Sequence, residues 1–236
     1  MKAVLLAAGL GTRLRPLTDT SPKCLLAVDG VTLLDRWLDA LAGAGVDEVL
    51  VNTHHCPDLV DGHLATRAGP PRVRTVFEPV LLGSAGTLLA NRAWIGDDPS
   101  FLACNADNLT DFDPGILVRA HLGAAPRPVA TVALFHTRHP SACGIVQRDG
   151  DGTIVEFAEK PARPVGNLAN AGIYAFETGA LERCRGGDGP LDIGFHLLPH
   201  LVGQARSVLV EGFFLDIGTL EDYRAAQVEW PARGAA

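Results

Sequence analysis

The chain has 236 residues, 47% of them hydrophobic and 20% charged, with a formal net charge of −7. That supplies apolar material for a sizeable core and excludes a disordered chain. The acidic balance excludes a bulk basic field for gripping DNA or RNA, so no nucleic-acid partner is expected, and an anionic ligand must be met by a few local Arg and Lys residues.

The first predicted element is Ala3–Ala7, a continuous apolar run of the kind a buried parallel strand shows. A Gly- and Pro-bearing loop follows, Ala8 to Pro22. Leu33, Leu34, Trp37, Leu38 and Leu41 recur at helical spacing, and Gly43 and Gly45 stop that helix. Glu48–Asn52, Val73–Phe77, Phe101–Cys104 and Val129–Phe135 read as further strands. The alternation predicts βαβ units and a sheet wound on both faces. Shorter strands are expected at Gly144–Gln147, Ile154–Phe157, Ala171–Phe176, Val208–Val210 and Phe213–Asp216, with a closing helix over Leu220–Trp230. No linker divides the chain. A single domain over 1–230 is expected, with 231–236 as a frayed tail.

Five cysteines, at 24, 56, 104, 143 and 184, form no CxxC pair and no zinc-like spacing, so they read as reduced thiols. No apolar run approaches the ~20 residues of a membrane span. Met1–Leu10 lacks the basic start and cleavage site of a signal peptide. A cytoplasmic protein without a membrane partner is expected.

The strongest motif is Gly9-Leu10-Gly11-Thr12-Arg13-Leu14-Arg15-Pro16-Leu17-Thr18, followed by Pro22-Lys23. Glycines just after a strand let backbone N–H groups approach phosphate oxygens. Arg13, Arg15 and Lys23 can neutralise the phosphate charge. The spacing is neither GxxxxGK[ST] nor GxGxxG, which weakens a Walker A loop and a dinucleotide-binding Rossmann loop.

These residues resemble the signature of the sugar-phosphate nucleotidyltransferases, and the resemblance runs on to Thr219. It implies a Rossmann-like, doubly wound α/β fold with a mixed, mostly parallel sheet, the GT-A-like nucleotide-diphospho-sugar transferase architecture. Residues 1–112 would mainly bind nucleotide and 113–230 mainly sugar. It implies an enzyme that joins a nucleoside triphosphate to a sugar 1-phosphate and releases pyrophosphate, with Mg²⁺ as cofactor.

Residue by residue, the resemblance gives Arg13 the phosphates and departing pyrophosphate, and Lys23 a place near the phosphates. Ala8, Gly9, Gly11 and Thr12 would wrap the nucleotide. Glu78 with Gly83, Gly86 and Thr87 matches the base-recognition segment, whose small glycines let a flat base lie on backbone. Asp107 and Asp216 match the metal carboxylates; two hard oxygen donors suit such a cation. Asn105, Gly144, Glu159, Asn170 and Gly172 match the sugar side, and Lys160 the contact to the sugar phosphate. Each motif also has a plainer reading: a strand-to-helix turn for Gly83–Thr87, an N-cap or turn for each Asp, a solvated pair for Glu159-Lys160. Two departures stand out: Ala106 where the family has Gly, and Cys143 where many relatives have an aromatic.

GTP with a mannose- or heptose-type phosphate is the favoured pair. The alternatives are UTP, as in the N-acetylmuramate-1-phosphate branch, and a non-catalytic sugar-nucleotide sensor. No left-handed β-helix extension is expected, and a homo-oligomer is left open. His196 and His200 lie four apart without the Glu of HExxH. They are not taken as ligands, and His54-His55-Cys56 is read as loop or packing.

Overall fold

The computed structural model describes residues 1–96 and 98–233. Its strands and helices, in chain order, are β1 (Lys2–Leu6), β2 (Ala27–Val28), β3 (Val31–Thr32), α1 (Leu33–Gly43), β4 (Glu48–Thr53), α2 (Pro57–Thr66), β5 (Arg72–Phe77), α3 (Ser84–Ala90) and α4 (Arg92–Ile95). Then come β6 (Ser100–Asn105), β7 (Asn108–Thr110), α5 (Pro114–Gly123), β8 (Ala130–His136), β9 (Gly144–Arg148), β10 (Ile154–Glu159), β11 (Leu168–Glu177), β12 (Ala205–Leu209), β13 (Phe214–Asp216) and α6 (Leu220–Arg233).

The main sheet carries nine of these strands among the described residues. One path runs β10-β9-β11-β6-β1-β4-β5; β8 pairs with β11 and with β12. In the first half, β1 pairs in parallel with β4 and β6, and β4 with β5. In the second half, β11 runs antiparallel to β6, β8 and β9. The sheet is therefore mixed, wound with helices, and continuous across both halves. A second, two-stranded sheet pairs β7 with β13 antiparallel, placing Asn108 opposite Asp216.

The apolar runs explain the burial. Ala3, Val4 and Leu5 of β1, Val49 to Val51 of β4, and Phe101 to Cys104 of β6 are all at most 1% exposed. They are covered on both faces, as parallel strands between helices are. Helix α1 buries Leu33, Leu34, Trp37, Leu38 and Leu41 and is capped by Thr32, whose hydroxyl accepts from the Asp35 N–H at 3.0 Å. Removing such a cap costs about 1 kcal/mol. Trp37 Nε1 donates to the Asn108 carbonyl at 2.9 Å, so this helix braces the strand that follows Asp107.

The predicted elements lie where the patterns placed them, within a few residues at the ends. Unforeseen were the small β2–β3 hairpin, α2, α4, β7 and α5. Helix α6 continues through Pro231 to Arg233, beyond the expected end at Trp230; residues 234–236 of the expected tail lie outside the described residues. No helix among the described residues is long and apolar enough to cross a membrane.

Candidate functional site

The site is built where the parallel strands end. At the end of β1 the chain turns, and Asn52 on the neighbouring β4 accepts the Ala7 N–H at 2.7 Å. Ala8 is buried, whereas Gly9 is exposed with no heavy atom within 4 Å of where a Cβ would stand. Gly11 takes φ 61° and is packed against Thr18, whose hydroxyl donates to its carbonyl at 2.7 Å. A 3₁₀ turn, Thr12–Leu14, follows, with Leu14 buried and Thr12 and Arg13 exposed. His55 Nε2 bonds the Thr18 carbonyl at 2.8 Å and ties this loop to the end of β4. Arg15 is spent on an exposed ion pair with Asp19 at 3.2 Å, which leaves Arg13 and Lys23 as the loop's cations at the acid pair.

Asp107 precedes β7 and Asp216 ends β13, so pairing of those strands brings the two carboxylates to one place. Lys23 Nζ lies 2.6 Å from Asp107 Oδ2 and 3.7 Å from Asp216 Oδ1. The Ile217 N–H donates to the Asp107 carbonyl at 3.2 Å. The Arg13 guanidinium lies beside the same turn: a Cβ on Gly218 would stand 3.2 Å from its Nη2. Three segments distant in sequence thus put two cations and two anions around one point.

Asp216 has 58% of its side chain exposed. Yet the protein around the carboxylate and the Asp107 charge push its pKa up to about 6, against the pull of Lys23 and Arg13. A carboxylate whose ionised form is opposed by burial and by a second carboxylate beside it marks a place where added positive charge is favourable. Among the described residues no group of three or more His, Cys, Asp or Glu side chains is placed to hold a metal ion. Asp107 and Asp216 alone are a donor set that fits Mg²⁺, which keeps waters and substrate phosphates as its remaining ligands. Ala106 fits its turn without a left-handed backbone. It is buried, and its N–H donates to the Leu6 carbonyl at 3.0 Å.

The second glycine loop is arranged differently. Glu78 is 3% exposed; its Oε1 accepts from Asn52 Nδ2 at 2.9 Å and from the Thr87 hydroxyl at 2.6 Å, and its Oε2 accepts the Leu82 N–H at 3.1 Å. Glu78 and Thr87 are therefore bonded to each other and hold the loop's shape. Gly83, at φ 77°, meets the Leu191 backbone so closely that a Cβ would collide with the carbonyl. The N–H groups of Ala85 and Gly86 donate to that same carbonyl at 2.8 and 3.0 Å. The side of Gly83 and Gly86 on which a Cβ would stand is turned to the chain itself, and both glycines remain partly exposed.

Among the residues expected on the sugar side, Asn105 at the end of β6 presses its amide against Gly172, which takes φ 70° and has no room there for a Cβ. Asn170 accepts the Gly172 N–H at 2.9 Å and donates to the Tyr174 hydroxyl at 2.7 Å. The Glu159 carboxylate fits between Gly144 and Gly194, neither of which has room for a Cβ. Burial raises its pKa, the Asp192 charge adds to that, and Lys160 opposes it. Lys160 is exposed and sits in the left-handed region at φ 47°. A non-glycine residue is held there at a cost of roughly 1 kcal/mol or more, a strain that clusters at functional sites. Cys143, in the place of an aromatic, has its thiol 3.6 Å from the Thr137 hydroxyl.

Sequence reasoning missed Asn52, Ser84 and Asp192. Asn52 is a polar residue inside an apolar strand, a signal available from sequence. Asp192, two residues before Gly194, carries the signal of a turn cap: its Oδ1 accepts the Gly194 N–H at 2.7 Å. Its Oδ2 accepts the Ser84 hydroxyl at 3.0 Å. His196 Nδ1 accepts the Asp192 N–H at 2.8 Å, a packing role.

Among known proteins, the chain is similar to the mannose-1-phosphate guanylyltransferase catalytic subunit beta of Dictyostelium discoideum, 31% identical over 228 residues. That alignment covers 94% of this chain and 62% of that protein. A glucose-1-phosphate thymidylyltransferase of Streptomyces antibioticus is 34% identical over 230 residues, covering 94% and 64%. The chain thus spans less than two thirds of the length of these relatives. A crystal structure described as a glucose-1-phosphate thymidylyltransferase from Bacillus anthracis shares the fold, with a TM-score of 0.82 at 21% identity, covering 97% of this chain and 94% of that one. The profile of the Nucleotidyl transferase family matches residues 2–232, and the chain belongs to that family.

Proposed function

We propose that the protein transfers a nucleoside monophosphate from a nucleoside triphosphate to a sugar 1-phosphate, releasing pyrophosphate, with GTP and a mannose- or heptose-type phosphate as the favoured pair. The observation that carries this is the convergence of Lys23 with Asp107 and Asp216, beside Arg13, at the mouth of an open glycine loop. The guanylyltransferase relative supports GTP. The thymidylyltransferase relative supports a second pair, dTTP with glucose 1-phosphate.

A phosphate oxygen of the sugar 1-phosphate attacks the α-phosphorus in line; one P–O bond forms as the α–β anhydride breaks and pyrophosphate departs. The nucleophile is already anionic, so no side chain need remove a proton. The protein's work is positioning and charge stabilisation. The backbone around Gly9 receives the triphosphate. Arg13 offers its bidentate fork to the charge that develops on pyrophosphate. Lys160 orients the sugar phosphate, and Glu159 and Asn105 meet sugar hydroxyls. Asp107 and Asp216 would hold Mg²⁺, which would supply neutralisation of phosphate charge. Lys23 keeps those carboxylates together.

The test is a matrix of five nucleoside triphosphates against a panel of sugar 1-phosphates, with Mg²⁺, read by pyrophosphate release. GTP with mannose 1-phosphate is expected to lead. Preference for UTP with N-acetylmuramate 1-phosphate would replace the favoured pair, and binding without turnover anywhere in the matrix would make the protein a sensor.

A further inference from the structure

An exposed phenylalanine stands at the sugar side of the site. Phe195, 51% exposed, belongs to a single π-helical turn, Ile193–Leu197, a rare geometry that recurs frequently at functional sites. The turn is fixed in position. Asp192 Oδ1 accepts the N–H groups of Gly194 and Phe195 at 2.7 and 3.3 Å, and the Ile193 N–H donates to Ser84 Oγ at 2.8 Å. With the Ser84-to-Asp192 bond, these anchor Phe195 to the nucleotide-side loop.

Its surroundings are specific. Gly194, the preceding residue, presses on the Glu159 carboxylate. Lys160 Nζ stands over the Phe195 ring, 6.0 Å from its centroid. Glu159 has a pKa raised by burial, and Lys160 is exposed on a strained backbone. A carboxylate, an ammonium and an apolar ring side by side match a ligand with hydroxyls, an anionic group and an apolar C–H face. A phosphorylated pyranose has all three.

We propose that the Phe195 ring is the apolar wall of the sugar 1-phosphate pocket, taking the C–H face of the pyranose while it holds the Lys160 ammonium for the phosphate. The proposal deepens the nucleotidyl-transfer reading and rests on it. Phe195 is thereby a specificity-determining residue for the sugar and a positioning residue for Lys160. The aromatic ring matters, and not merely its bulk, because a cation is drawn to the face of a π-system and not to an alkyl group.

The experiment compares Phe195→Leu, Phe195→Ala and Phe195→Tyr with the unaltered protein, using mannose 1-phosphate and glucose 1-phosphate. Phe195→Leu and Phe195→Ala are expected to raise the KM for the sugar 1-phosphate at least ~10-fold, while the KM for the triphosphate stays within about twofold. Phe195→Tyr is expected to restore it to within about threefold. A wild-type KM in Phe195→Leu, or an equal rise in both KM values, would overturn the proposal. Calorimetric titration of mannose 1-phosphate separates this from the parent reading. Weaker binding to Phe195→Leu with no turnover in either protein sinks transfer and keeps the wall. Equal binding to both sinks the wall whatever the turnover.

Discussion

Gly9 and Gly83 each follow a parallel strand, and in the chain they look alike. In space Gly9 has nothing within 4 Å of its missing side chain, whereas Gly83 is in contact with the Leu191 backbone. The charges divide the same way. The first loop leaves Arg13 exposed and brings Lys23 to two carboxylates; the second buries its acid, Glu78, under three hydrogen bonds. Gly9 leaves its loop open on that side, whereas Gly83 packs its loop as a joint against Leu191. A glycine motif therefore does not by itself say whether the missing side chain makes room for the chain, as at Gly83, or leaves open space, as at Gly9.

The largest expected effect breaks the open loop. Arg13→Ala should lower kcat at least ~10²-fold, about 3 kcal/mol of transition-state stabilisation, while the circular dichroism spectrum is unchanged. Near-normal turnover in the folded variant would remove Arg13 from the mechanism. Gly83→Ala breaks the joint instead. Its new Cβ meets backbone at a positive φ, so stability should fall by about 2–3 kcal/mol and the Tm by about 5–10 °C. Gly9→Ala, by contrast, should leave the Tm within about 2 °C and raise the KM for the triphosphate. Equal Tm losses for the two glycines would erase the distinction drawn between them.

Thr87→Val sharpens the comparison inside the joint. It removes a 2.6 Å hydrogen bond from a buried carboxylate, and urea titration should register a loss of about 1–2 kcal/mol. The smallest effect on stability is at the acid pair. Because the Asp216 pKa is raised in the folded protein, its ionisation opposes folding. That contribution to stability is intact below pH 4 and lost as pH rises through about 6. Asp216→Asn should therefore match the unaltered protein's Tm at pH 4 and exceed it by about 1–2 °C at pH 8, the gain being small because the side chain is largely exposed. A lower Tm for Asp216→Asn at pH 8 would contradict the repulsion.

Much of the fold was legible because the first half obeys simple periodicities. Continuous apolar runs became β1, β4 and β6, and the 3.6-residue stripe from Leu33 to Leu41 became α1. What escaped is short or set by tertiary contact. The strand β7 has three residues and forms by pairing with β13; α5 lacks a marked polar face. Of the site, the residues with a charge or a glycine in a motif were visible from sequence, and the structure brings Arg13, Lys23, Asp107 and Asp216 together. The burial of Glu78 and Thr87 was not visible, since a Glu-Pro after a strand gives no hint that Asn52, 26 residues earlier, will meet it. Nor was Phe195, whose meaning comes only from the turn that sets it beside Lys160.

The most direct test of the account is pyrophosphate release by Asp107→Asn, Asp216→Asn and the double variant, with GTP, mannose 1-phosphate and Mg²⁺. If the two carboxylates act as one unit, each single change should cost at least ~10²-fold and the pair only about tenfold more. A folded double variant that turns over at the rate of the unaltered protein would contradict it.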